Sequence, residues 1–143
     1  MIVAFVVLTV AVVALDLTTK LTIPGIMNPG IAWGLGASLP WLWVVIVIFS
    51  FLIAGGIAVC QIWYLRRLQQ KQRLSKRHWW GTLGLALFVG GVLGNAIDRL
   101  IAGGAVHDFI DFVIFKNNVA DIAICVGAAL WLIGMLWSPA DAR

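Results

Sequence analysis

Two aspartates stand where carboxylates are hardest to explain away. Asp121 lies in the apolar string NNVADIAICVG and Asp108 in VHDFIDF, and neither has a lysine or arginine beside it. Ionisable groups at membrane depth are costly and are usually kept for a task. An aspartate near a helix N-terminus is also stabilised by free N–H groups and the helix dipole, so Asp121 alone could be a cap. The two together suggest more. Carboxylates brought close cannot both ionise cheaply; they share a proton, so that one can activate water while the other protonates a leaving group. No other hydrolytic engine is at hand. Ser38, Ser50, Ser75 and Ser138 fall in loops, in an apolar run or near the C-terminus, His78 falls in a basic loop, and only His107 is near the acids.

Further polar residues could form a shell around such a pair. Asn95, Asp98 and Arg99 occur together in GNAIDR, where Asp98 beside Arg99 reads most simply as a charge pair. Asn28 in NPGIAWG and Asn118 in NNVAD could each orient a substrate carbonyl or a carboxylate, or simply form turns. Asp16 and Lys20 are four apart and could pair on one helical face. Cys60 and Cys125 lie inside apolar runs without metal-binding spacing, and read as small buried hydrophobes. No metal or organic cofactor is called for.

The elements that must position these groups are hydrophobic helices. Of the 143 residues, 62% are hydrophobic and 11% charged, where a soluble domain carries about a quarter charged. Crossing a bilayer takes roughly 20 apolar residues. Four apolar runs, about residues 2–15, 41–65, 79–97 and 119–137, fill most of the chain. They predict an all-α membrane protein, a four-transmembrane-helix bundle forming a single domain over 1–143. The first run lacks a basic leader and an A-x-A site, so it reads as an uncleaved helix. Residues 16–40, with Pro24, Pro29, Pro40 and several glycines, read as a loop or re-entrant segment. The third run, with Gly81, Gly84, Gly90, Gly91 and Gly94, is expected to be the central helix, since small residues let backbones approach in lipid.

Charge orients the bundle. Six of the ten basic residues (Arg66, Arg67, Lys71, Arg73, Lys76 and Arg77) lie between the second and third runs, which marks a cytoplasmic loop drawn to anionic lipid headgroups. Nucleic acid is excluded as a partner because no aromatic interleaving or binding fold accompanies the charge. Trp41 and Trp43 mark one interface and Trp63 with Tyr64 the other. Both termini are then cytoplasmic, and the loops at about 16–40 and 98–118 are short and extracytoplasmic. Five of the six acids (Asp16, Asp98, Asp108, Asp111 and Asp121) lie in or beside those outer segments.

Five strings, in order, resemble the lipoprotein signal peptidases, also called signal peptidase II. DLTTK at Asp16–Lys20 resembles that family's D-x-x-[ST]-K motif, and NPGIAWG at Asn28–Gly34 its N-x-G-x-A-[FW]-[GS] motif. GGVLGNAIDR at Gly90–Arg99, VHDFIDF at Val106–Phe112 and NVAD at Asn118–Asp121 resemble the remaining three. The resemblance implies an intramembrane aspartic endopeptidase that removes signal peptides from diacylglyceryl-modified prolipoproteins, cutting before the lipidated cysteine. It implies Asp108 and Asp121 as the catalytic dyad, with Asn28, Asn95, Asp98, Arg99, Asn118, Asp16 and Lys20 as substrate-binding or supporting groups. It further implies inhibition by globomycin-type cyclic peptides, a bacterial inner-membrane location and an active site near the extracytoplasmic face. A monomer among membrane lipids is expected. The chain departs from the pattern in three places: Leu17 follows Asp16 where the family has glutamine, one extra residue separates Arg99 from VHD and so bears on the register of Asp108, and only seven residues separate Lys20 from Asn28. The family carries a longer segment there, part of an extracytoplasmic β-cradle, which this chain is expected to lack in part. Two other readings of the buried acids are a non-cleaving lipoprotein-binding protein and a small proton-relay transporter. The ordered motifs disfavour the transporter, as does the absence of repeat symmetry.

Overall fold

The apolar runs all become helices: α1 (Ile2–Thr22), α2 (Leu42–Gln70), α3 (Lys76–Ile101) and α4 (Val119–Leu136). The structure, a computed structural model, describes residues 1–29, 39, 41–112 and 116–136, without the side chains of residues 76 and 77. Residues 30–34 of the NPGIAWG motif, Ser38, Pro40, Trp137 and Ser138 lie outside the described residues. All four helices are long and apolar enough to cross a membrane.

Four helix boundaries differ from the hydropathy reading; one is the end of α3, which runs to Ile101 and so makes Asp98 and Arg99 helical, not part of a loop from residue 98. α1 does not stop at Leu15 but runs two turns further, so Asp16 and Lys20 are helical rather than in a loop. Their side chains bridge that extra length at 2.7 Å, and a basic residue in the last turn suits the helix dipole. Thr19 and Thr22 also donate back to the carbonyls of Leu15 and Thr18 at 2.8 and 2.9 Å. The helix ends at Ile23, in extended conformation, as expected of a residue before proline. α2 continues to Gln70 and α3 begins at Lys76, which shortens the basic loop and takes His78 out of it. Ser75 caps α3 through a capping box in which its backbone N–H donates to His78 Nδ1 at 3.0 Å. His78 is therefore a buried helical residue.

α3 is the axis of the bundle. Of its spanning window 44% is buried, against 11–17% for the other three helices. Phe5 of α1, Ala54 of α2, and Ala86 and Val89 of α3 form the buried core. The closest approach is between α3 and α4, where Gly84 and Gly127 face each other: a Cβ on Gly84 would lie 2.7 Å from the Gly127 carbonyl oxygen, and one on Gly127 would lie 2.6 Å from that of Gly84. Backbones this close gain dispersion contacts that lipid cannot supply. Large apolar side chains elsewhere point outward, among them Val7, Val10, Leu52 and Met135. Cys60 and Cys125 are also on the outer surface, not buried as their apolar runs suggested; a lipid-facing helix surface is as apolar as a core. Trp41 and Trp63 are exposed at either end of α2. Their 22-residue separation spans about 33 Å of helix, close to the hydrocarbon thickness.

Two short antiparallel ladders, unforeseen from the sequence, sit at the end of the bundle away from the basic loop. β1 (Ile26–Asn28) pairs with β2 (Val106–Asp108), placing Ile26 opposite Asp108 and Asn28 opposite Val106. β3 (Ile110–Asp111) pairs with β4 (Lys116–Asn117). Gly103, at φ +66°, turns the chain out of α3, and the Gly104 N–H closes the turn on the Arg99 carbonyl at 2.8 Å. That turn delivers β2, and with it Asp108, to the mouth of the bundle.

The glycine contact makes a comparison possible. Gly84→Ala is expected to lower stability by about 1–3 kcal/mol through overpacking. Gly55→Ala, where an added Cβ meets nothing within 4 Å, is expected to be neutral or stabilising by up to about 1 kcal/mol. Thermal unfolding of the two purified variants in detergent checks both signs.

Candidate active site

The site is assembled from residues far apart in sequence. Asn28 comes from β1, Asp108 from β2, Asn95, Asp98 and Arg99 from the last turns of α3, Asp16 and Lys20 from the end of α1, and Asn118 and Asp121 from the start of α4. All nine candidate site residues named from the sequence reach this region.

Asp108 is 3% exposed. Each of its carboxylate oxygens takes an amide donor: Asn118 Nδ2 reaches Oδ1 at 2.7 Å and Asn28 Nδ2 reaches Oδ2 at 3.1 Å. Asn118, fully buried, has a second task. Its Oδ1 accepts the backbone N–H of Asp121 at 3.0 Å, the bond of an N-cap to the third helical residue. A backbone N–H can only donate, so the amide must present its NH2 to Asp108. One side chain thus caps α4, orients one aspartate and ties down the backbone of the other. The capping role considered for Asp121 belongs to Asn118, which leaves the Asp121 carboxylate available.

Asp121 is held from α3. Asn95 Nδ2 donates to Asp121 Oδ1 at 2.7 Å, while Asn95 Oδ1 accepts from Lys20 Nζ at 2.9 Å. Lysine can only donate, so this amide too has one permitted orientation. The positive charge of Lys20 is relayed to Asp121 through a dipole, without a direct ion pair that would block the carboxylate. Asp108 and the Asp121 backbone are both bound by the one Asn118 side chain.

Beneath this layer is a buried charge cluster. Lys20, 4% exposed, contacts Asp16 Oδ2 at 2.7 Å and Asp98 Oδ2 at 3.2 Å. Asp98 therefore pairs with Lys20, a partner that the sequence, which suggested its neighbour Arg99, did not indicate. Arg99 lies in the field of Asp121, Asp108 and Asp98 together, with its Nη1 at 3.4 Å from the Asn95 carbonyl. The second oxygen of Asp16 accepts the Ala120 backbone N–H at 2.8 Å, so α1 caps α4 as well. Asp98 also accepts the His107 N–H at 2.8 Å, which anchors β2 one residue before Asp108.

Sequence reasoning missed these backbone partners and two glycines. A Cβ on Gly94 would lie 2.7 Å from Asp16 Oδ2, and one on Gly25 would collide with the Asp108 carbonyl oxygen and the His107 ring. The glycine of GNAIDR was the available signal for the first, since it lies one position before Asn95. Nothing local marks Ala120 or His107, whose contributions are main-chain. Asp111 stays outside, in an exposed pair with Lys116 at 3.6 Å.

Removing Lys20 is expected to be costly because it would leave two buried carboxylates facing each other. Lys20→Met should lose about 3–5 kcal/mol of stability. The double variant Lys20→Met/Asp98→Asn should recover part of it, as read by chemical or thermal unfolding in detergent.

Comparison with known proteins identifies the family. The family model described as signal peptidase (SPase) II matches residues 10–137. Lipoprotein signal peptidases of Yersinia pestis (strain Pestoides F) and Yersinia pseudotuberculosis serotype O:3 (strain YPIII) are each 44% identical over 94 residues, covering 62% of this chain. The match takes in 52% of each relative, so the chain spans about half the length of the curated relatives it matches. Among solved structures, a bacterial membrane enzyme determined by the in meso method at 1.9 Å shares the fold, with TM-score 0.69, 22% identity and 94% of each chain covered. A second such structure, at 2.3 Å, gives TM-score 0.68 at 22% identity over 98% of this chain and 92% of its own. The match extends from the second half of α1 through α4, across all nine polar residues of the site, and the chain belongs to the signal peptidase II family.

Proposed function

We propose that this chain is an intramembrane aspartic endopeptidase that removes the signal peptide from diacylglyceryl-modified prolipoproteins, cutting before the lipidated cysteine. The observation that carries the reading is Asn118, whose one amide group fixes Asp108 through its NH2 and the Asp121 backbone through its oxygen. Two aspartates locked to a common residue, one strand-borne and one helix-borne, form the kind of preorganised pair that acid–base hydrolysis needs. The family supports the same assignment of substrate.

In this mechanism the two aspartates divide the work by their hydrogen bonds. Both oxygens of Asp108 already accept amide N–H groups, so Asp108 enters as the carboxylate. Asp121 accepts Asn95 on Oδ1 and carries the shared proton on Oδ2. A water between them gives a proton to Asp108 while its oxygen bonds to the scissile carbonyl carbon. Asp121 then passes its proton to the amide nitrogen, the C–N bond breaks, and the new amine leaves with the lipidated fragment. The proton on Asp108 returns to Asp121 before the next turnover. Lys20, Asn95, Asp98 and Arg99 hold the geometry and the field; no cofactor takes part.

The membrane setting follows from charge. The basic loop lies on the cytoplasmic side and both termini with it, and the dyad opens near the extracytoplasmic face of the inner membrane, beside short loops. A lipid-modified substrate enters sideways, keeping its acyl chains among lipid. Cyclic peptides of the globomycin type would compete at the dyad, and one copy of the chain carries the complete site.

A gel-shift cleavage assay with purified protein and a diacylglyceryl-modified prolipoprotein tests the proposal. Asp108→Asn and Asp121→Asn should each reduce turnover by at least about 10²-fold while substrate binding persists. Binding without cleavage by well-folded native protein would favour a non-cleaving binder instead.

A further inference from the structure

The far end of the bundle carries a feature that the dyad does not use. α2 packs on α3 along its length but leaves a lateral groove towards α4. This groove, about 520 Å³, is almost wholly apolar and is bordered by Gly56, Cys60, Leu85, Phe88, Ala128 and Trp131. It continues into a smaller cavity of about 250 Å³ that shares Gln61, Tyr64, Leu85 and Trp131 and adds His78 and Thr82. An apolar channel thus adjoins a pocket of mixed lining that carries three buried polar side chains.

The polar end is built from buried side chains. Gln61, His78 and Thr82 are each 8% exposed or less. Thr82 Oγ1 donates to the His78 carbonyl at 2.6 Å and accepts Gln61 Nε2 at 3.0 Å, so the amide oxygen of Gln61 remains to face the cavity. The His78 ring lies against Tyr64 at 5.9 Å. One turn further along α2, Arg67 is held over the Trp63 ring at 4.5 Å. Tyr64 and Arg67 follow at helical spacing on one side of α2, and Lys71 is the residue that caps its end. Residues 66–77 contain six basic residues and no acid.

We propose that this groove binds a single anionic phospholipid from the leaflet on the basic-loop side. One acyl chain lies in the apolar channel between α2 and α4. The glycerol ester region meets Gln61 and Tyr64, and the headgroup phosphate meets Arg67 and Lys71. The order of surfaces along α2 (apolar, neutral polar, cationic) is the order of groups along such a lipid, read from bilayer centre to water. Charge complementarity selects an anionic headgroup over a zwitterionic one. The site is independent of the peptidase reading, because its occupancy is measured without turnover.

Native mass spectrometry of the detergent-purified full chain, delipidated and supplemented with phosphatidylglycerol or phosphatidylcholine, tests it. One retained phosphatidylglycerol is expected, in preference to phosphatidylcholine. Arg67→Gln should reduce that preference about fivefold, the effect of one basic residue near a charged headgroup. Gly56→Leu, where an added Cβ meets nothing within 4 Å, should fill the groove without disturbing the fold and abolish the adduct. Equal retention of both lipids, or an unchanged adduct in Gly56→Leu, would overturn the proposal. So would a dimer that Gly56→Leu dissociates, since the groove would then belong to a second copy.

Discussion

The arrangement depends on one buried ammonium group. Lys20 lies between Asp16, Asp98 and Asn95, at 2.7, 3.2 and 2.9 Å, almost entirely removed from solvent. Taking charges out of water costs several kcal/mol per ion, and only close, fully hydrogen-bonded partners offset it. Lys20 satisfies that requirement by drawing in groups from α1 and α3, and through Asp16 it also reaches the start of α4. Hydrophobic burial alone could not fix this register, because lipid offers the outer helix faces a surroundings as apolar as the core. The polar cluster is what sets the helices at one height and one rotation.

Built on that cluster, the layer that holds Asp108 and Asp121 shares its parts with the fold. The N-terminus of α4 would present unsatisfied N–H groups; Asp16 takes that of Ala120 and Asn118 takes that of Asp121. The same Asn118 then holds Asp108, and β2 reaches its place because Asp98 anchors the His107 N–H. Positioning groups of this kind cannot relax independently of the helices that carry them. The site and the bundle are therefore stabilised or lost together, and the fold itself fixes how the two carboxylates are held.

The two ends of the bundle solve different problems. At the dyad, polar side chains converge and short strands close over them. Towards the basic loop, residues of α2, α3 and α4 border an apolar groove that adjoins a smaller cavity carrying Gln61, His78 and Thr82. α3, held close to α4 by the Gly84–Gly127 contact, is the rigid element common to both.

Much of this was legible in the chain itself. Hydropathy identifies four spanning helices because backbone groups in lipid must be satisfied within each segment, whatever the neighbours do. The nine polar residues of the site stand out for the same reason: charge and amide groups in an apolar chain are too expensive to be incidental. Helix ends were less legible, since Asp16, Lys20 and Ser75 look polar to a hydropathy window yet extend α1 and begin α3 through ion pairing and capping. Only the tertiary structure decided which polar group meets which. Asp98 and Arg99 are neighbours along the chain, yet Asp98 makes its close ion pair with a lysine 78 positions away. Asn118 likewise looks like a turn residue until α4 and β2 converge on it. Local sequence encodes the presence and cost of each polar group, whereas its partner is set by helix rotation and packing, a property of the whole bundle.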